Sequence, residues 1–134
     1  MFDTVLIAGL GLMGGSMAKT IKARTLSRVL GWNRTRATAE QALADGSIDA
    51  IATEALYKEA DLVIIGLYPQ ATVDWLLENM PKMKKGCVIV DMVGVKQFMV
   101  DHLEQAALDA GVHYVGCHPM AGREFSGLDF ALPT

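Results

Sequence analysis

Gly9-Leu10-Gly11-Leu12-Met13-Gly14 is a GxGxxG run that follows the apolar stretch Thr4 to Ala8 and opens an amphipathic one. Glycine serves a different end at each of the three places. The first allows a tight turn, the second lets backbone N–H groups come close to an anion, and the third lets a helix pack tightly against a strand. A helix start at the same place adds free N–H groups and a partial positive charge. In this context Gly9, Leu10, Gly11, Leu12, Met13 and Gly14 read as the cradle for a dinucleotide pyrophosphate. Gly15 and Ser16 continue the run, and Ser16 is either a hydroxyl for a phosphate or a small residue tolerated in a first turn.

The next informative group is Gly31-Trp32-Asn33-Arg34-Thr35. An acidic residue about twenty positions beyond the glycines would bind a ribose 2′-hydroxyl. Here Asn33 carries no charge to repel a 2′-phosphate, while Arg34 and Thr35 supply a cationic fork and a hydroxyl that can hold one. The pattern favours NADP over NAD. The plainer alternative is that Arg34 and Arg36 are solvated cations at the start of a helix.

Three further stretches hold polar groups beside apolar runs: Gly66-Leu67-Tyr68-Pro69-Gln70, Asp91-Met92-Val93-Gly94-Val95-Lys96, and Cys117-His118-Pro119-Met120-Ala121-Gly122-Arg123-Glu124. Oxidation of an alcohol by hydride transfer requires the hydroxyl proton to leave, and a histidine titrating near neutrality is a suitable acceptor. His118 is the candidate; its plain alternative is a turn histidine bonded to backbone. His102 falls in mid-helix and His113 opens a strand at the opposite edge, so neither is expected to be catalytic. Asp91 ends an apolar strand, where capping the following turn is the simplest role. Lys96 either binds an anionic substrate or is an exposed cation in the first turn of a helix.

These residues need a scaffold, and the patterning supplies one. Val-, Ile- and Leu-rich runs at Thr4 to Ala8, Val29 to Trp32, Asp61 to Leu67 and Cys87 to Asp91, with a last one near Val112 to Cys117, read as strands buried on both faces. Met13 to Ala23, Arg36 to Ala44, Ala71 to Met80 and Val95 to Ala110 carry apolar residues at helical spacing. Gly46, Gly86 and Gly111 stand just past helical stretches, and Pro69 where a helix can begin. The resulting β-α-β-α-β-α order predicts an α/β fold, a doubly wound Rossmann-type parallel sheet flanked by helices. Ligands bind such sheets beyond the carboxyl ends of the strands. Leu67, Tyr68, Pro69, Asp91 and Gly94 are therefore read as cofactor-lining, and His118 is expected near the nicotinamide.

The bulk properties fit a small-molecule site. The 134 residues suffice for one domain, 51% are apolar and 20% charged, and the formal charge is −3 with lysine and arginine scattered. No basic run marks nucleic acid or anionic lipid as a partner. Cys87 and Cys117 lie far apart in apolar runs with no CxxC, which suits a reducing compartment, and no metal site is indicated. Met1 leads straight into a short apolar run with no basic segment before it, so a soluble, cytoplasmic protein without a membrane span is expected.

The segment His118-Pro119-Met120-Ala121-Gly122-Arg123-Glu124-Phe125-Ser126-Gly127 resembles the HPMAG-x-E-x-SG signature of prephenate and arogenate dehydrogenases. With the glycine turn extended to Ser16 and the Asp91 to Lys96 loop, in matching order and spacing, the likeness covers nearly the whole chain. It implies NAD(P)-dependent oxidative decarboxylation in tyrosine biosynthesis. The product is 4-hydroxyphenylpyruvate if prephenate is the substrate, or tyrosine if arogenate is. By the same likeness His118 is the catalytic histidine that bonds the ring hydroxyl, Glu124 organises or gates the pocket, and Lys96 is the lysine of its loop. Gly94 departs from the family's Asp-x-Gly-Ser-x-Lys pattern, standing where its serine contacts substrate and nicotinamide. Family members continue into a helical domain that forms the dimer and supplies cations for the substrate carboxylates. Residues 1–134 are thus expected to be a single NAD(P)-binding domain that binds dinucleotide with little turnover unaided. The rivals are a β-hydroxyacid dehydrogenase, whose family shares GLG-x-MG and Asn-Arg-Thr but not the HPMAGRE segment, and a non-catalytic dinucleotide sensor, which would need no His118 or Glu124.

Overall fold

The structure, a computed structural model, describes residues 2–92, 94, 95 and 97–116. The chain alternates strands and helices: β1 (Thr4–Ala8), α1 (Leu12–Arg24), β2 (Arg28–Trp32), α2 (Arg36–Ala44), β3 (Ala50–Ile51), α3 (Glu54–Tyr57), β4 (Leu62–Ile65), α4 (Pro69–Asn79), a 3-10 turn (Met80–Lys82), β5 (Val88–Asp91), α5 (Gln97–Ala110) and β6 (His113–Val115). The strands form one sheet in the order β3-β2-β1-β4-β5-β6, every neighbouring pair parallel. This is the doubly wound order with its switch point between β1 and β4.

Side chains alternate across the sheet because the strand period is two. Leu6, Ala8, Leu30, Val63, Ile65 and Ile89 pack with Tyr57 of α3, Val73 and Leu76 of α4, and Leu103 and Ala107 of α5. Val5, Ile7, Val29, Leu62 and Ile64 pack with Ala18 and Ile21 of α1 and Ala39 and Ala42 of α2. The apolar runs Val5 to Ala8 in β1 and Leu62 to Ile65 in β4 follow from this, since both faces are covered. Trp32, at the end of β2, lies 5.7 Å from Trp75 and Tyr57 lies 5.6 Å from the same ring, so three aromatic side chains brace that end of the sheet.

Two carboxylates fasten the amino edge. Asp61 accepts the N–H groups of Asp3 and Thr4 and pairs with Lys84. Asp49 accepts the Val29 N–H and pairs with Lys22. Burial pushes both carboxyls up, but the lysines and backbone N–H groups outweigh it and hold both below their ordinary value.

Several boundaries differ from those predicted. The segment expected as a strand from Asp61 to Leu67 is extended only over Leu62–Ile65, because Asp61 turns back to the amino edge. Helix α4 starts at Pro69, where the missing proline N–H costs nothing, two residues before the predicted Ala71. Helix α5 begins at Gln97 where Val95 was expected, and β6 covers Val115 but ends short of Cys117, which lies outside the described residues. The two-residue β3 and the one-turn α3 are absent from the sequence reading, because elements that short display no period. Gly46, Gly86 and Gly111 do adopt positive φ. No helix among the described residues is long and apolar enough to cross a membrane.

Candidate functional site

The carboxyl edge is built around the glycine turn. Gly9 has φ +95°, and its N–H donates to the Trp32 carbonyl at 2.7 Å, so the turn hangs from β2. A Cβ on Gly9 would stand 2.7 Å from the Gly66 carbonyl oxygen, and one on Gly14 would stand 1.7 Å from that of Gly9. Both glycines are demanded by the protein's own backbone. Gly11 is not: its φ of −70° suits any residue, and a Cβ there would meet nothing within 4 Å. Helix α1 begins directly after it with Leu12 and Met13, has no side-chain cap and no carboxylate in its first turn. An uncapped positive helix end beside a glycine that no internal contact requires is a fit for an anion approaching the backbone closely.

Gly31, inside β2, serves this turn from below. A Cβ there would lie 2.8 Å from Ile48 Cδ1 and 2.9 Å from Leu10 Cδ1, so its absence lets Leu10 seat under the turn. A lone glycine within a strand run was the available sign of such a close approach.

The end of β2 is tied to the glycine turn by Asn33. Its Oδ1 accepts the Leu10 N–H at 2.8 Å and its Nδ2 donates to the Thr35 carbonyl at 3.0 Å. Beyond lacking charge, Asn33 therefore shapes both loops. Arg36 pairs with Glu40 one turn on, whereas Arg34 is exposed and has no ion pair among the described residues. Thr35 is exposed at the start of α2, and its hydroxyl makes no cap bond. Ser16, also exposed, lines a cleft of about 290 Å³ between α1 and α2 with Gly11, Gly15, Lys19, Thr38 and Asp45.

Across the switch point, Leu67 packs on the core while Tyr68 is 86% exposed and Pro69 opens α4. The Thr72 hydroxyl donates to the Leu67 carbonyl at 3.1 Å and braces that loop. Asp91, at the end of β5, has no exposed surface. Its Oδ1 accepts the Gly94 N–H at 2.9 Å, and the Tyr114 hydroxyl donates to its Oδ2 at 3.2 Å. Asp91 was expected to line the cofactor directly; full burial makes it a group that closes the 91–94 turn, which is the capping role also read from its position. Gly94 has φ +84°, where a side chain costs about 1–2 kcal/mol, so this turn as built favours glycine over the serine of the family pattern. Tyr114 carried no sign in the sequence beyond its place in a strand.

The structure thus brings Gly9 to Gly14, Asn33 to Thr35, Leu67 to Pro69 and the Asp91 to Gly94 turn to one edge of the sheet. Lys96, His118 and Glu124 lie outside the described residues. His102 is exposed on α5, and His113 is exposed at the start of β6, opposite Val88 at the amino edge. No cluster of metal-ligating side chains occurs among the described residues.

Comparison with known proteins follows the same lines. The family model for the prephenate dehydrogenase nucleotide-binding domain matches residues 17–133. A prephenate dehydrogenase of Bacillus subtilis (strain 168) is 38% identical over 132 residues, covering 96% of this chain and 35% of its own length. The prephenate dehydrogenase of Lactococcus lactis subsp. cremoris (strain MG1363) is 30% identical over 129 residues, covering 92% and 36%. The chain thus spans about a third of the length of the curated relatives it matches. Among solved structures, the prephenate dehydrogenase from A. aeolicus in complex with hydroxyphenyl propionate and NAD+ superposes with a TM-score of 0.76 at 25% identity, over 91% of this chain and 43% of that one. Mycobacterium tuberculosis 3-hydroxyisobutyrate dehydrogenase reaches 0.74 at 20% identity, over 85% and 39%, a likeness of fold alone.

Proposed function

The chain belongs to the family of prephenate dehydrogenase nucleotide-binding domains, and on that basis we propose that it is the coenzyme-holding part of an enzyme that oxidises and decarboxylates prephenate. The observation that carries the binding half is Gly11, a glycine with open space beyond its Cβ position at an uncapped helix start. The amides there hold the pyrophosphate, and Asn33 keeps the glycine turn and the β2 loop in one fixed relation.

NADP is favoured over NAD. Arg34 is exposed and has no carboxylate partner among the described residues, the Thr35 hydroxyl makes no cap, and Asn33 puts no charge against a 2′-phosphate. A nicotinamide coenzyme held there would supply the hydride acceptor for the ring carbon that bears the substrate hydroxyl. His118 bonds that hydroxyl and takes its proton. Carbon dioxide then leaves, the electron pair of the broken carbon–carbon bond enters the ring, and the ring oxygen takes the proton back from His118, giving the 4-hydroxyphenyl product. Lys96 binds a substrate anion, and Glu124 organises the pocket.

Calorimetric titration of the purified chain with NADP+ and NAD+ tests the binding half. Saturable binding, tighter for NADP+, is expected; binding of neither would refute it. For the chemistry, the chain is joined to the remaining length of the Bacillus subtilis relative and given prephenate. There His118→Asn is expected to leave coenzyme affinity unchanged and abolish coenzyme reduction, and retained reduction would remove His118 from its role.

A further inference from the structure

The hydroxyl of Tyr114 holds a buried group at the carboxyl edge of the sheet. The residue lies on β6 opposite Ile89, and its ring packs on the core beside β5. Packing alone would be met by phenylalanine. The hydroxyl reaches 3.2 Å across to Asp91 Oδ2, a carboxylate with no exposed surface. A carboxylate so buried is held by donors, and each donor that orients it also orients what its other oxygen holds. That other oxygen accepts the Gly94 N–H at 2.9 Å and so closes the left-handed turn after β5.

We propose that Tyr114 is a positioning residue, whose hydroxyl fixes Asp91 and thereby sets the 91–94 turn against the nicotinamide half of the bound dinucleotide. The assignment of halves follows from topology. A dinucleotide lies across the switch point with its pyrophosphate at the β1 turn and its adenosine ribose toward β2, which leaves the other half over β4, β5 and β6. The inference rests on the dinucleotide reading above and adds to it a residue that never touches the ligand.

The test is Tyr114→Phe in the 134-residue chain, titrated with NADP+ and, separately, with 2′,5′-ADP, which lacks the nicotinamide half. Loss of one hydrogen bond is expected to weaken NADP+ binding roughly three- to tenfold and to leave 2′,5′-ADP binding unchanged. A merely structural role moves both affinities together or neither, and either result overturns the proposal. If the parent chain binds neither ligand, the NADP reading has failed and the clamp is judged by amide exchange. Tyr114→Phe then speeds exchange at Gly94 with the unfolding midpoint unchanged, or the clamp is refuted. Should Tyr114→Phe not fold, Asp91→Asn, which keeps an acceptor for Gly94, is held to the same split between ligands.

Discussion

Replacing Gly11 and Gly14 by alanine, one at a time, separates a glycine kept for a ligand from a glycine kept for the fold. At Gly11 the backbone is extended with φ −70°, and the new Cβ meets nothing within 4 Å. Losing a glycine N-cap and stiffening the unfolded chain act in opposite directions, so stability is expected to change by less than about 1 kcal/mol. On the proposed function the methyl nevertheless stands where the pyrophosphate approaches. Forfeiting one charge-assisted hydrogen bond is worth about 1.5–3 kcal/mol, which is roughly a 10- to 150-fold rise in dissociation constant. At Gly14 the Cβ would lie 1.7 Å from the Gly9 carbonyl oxygen, so the turn and helix must part, at about 1–3 kcal/mol or more. Urea unfolding and calorimetric titration of the same two variants read both quantities. Gly11→Ala binding NADP+ as well as the parent chain, or losing as much stability as Gly14→Ala, would refute the cradle.

Arg34→Ala is expected to weaken NADP+ binding much more than NAD+ binding, and an equal effect on both, measured by titration, would leave Arg34 a surface cation. Asp61 and Asp49 have carboxyls held below the ordinary value, so the stability they contribute is complete well above pH 3.8 and fades as pH falls through their folded-state values. Asp61→Asn should therefore flatten the acid limb of the unfolding midpoint against pH, and an unchanged limb would count against the amino-edge fastening. Burial pushes the Cys87 thiol up to about 12, so in the native protein it should resist alkylation at mildly alkaline pH and react only on unfolding, as peptide mapping would report.

Much of the scaffold could be read from the chain. The apolar runs of β1 and β4 stand out because both faces of those strands are covered, and helices α1, α2 and α4 begin within two residues of their predicted starts. The glycine turn was legible because backbone approach leaves a compositional trace at fixed spacing. β3 and α3 were not, being too short to carry a period.

The sequence alone pointed to the kind of site: a glycine turn at the head of a helix, an uncharged second-strand end followed by a cation, and a parallel sheet to hold them, each encoded in residues adjacent along the chain. Tertiary structure decided which distant side chains meet. Leu10 and Asn33 lie 23 positions apart, as do Asp91 and Tyr114. They become neighbours because the β1–α1–β2 and β5–α5–β6 crossovers each return the chain to the adjacent strand in parallel register, and that register is fixed by burial across the whole sheet. The same packing revealed why Gly31 is a glycine and gave Asp91 the Gly94 N–H to hold, the capping role its position at the strand end had suggested.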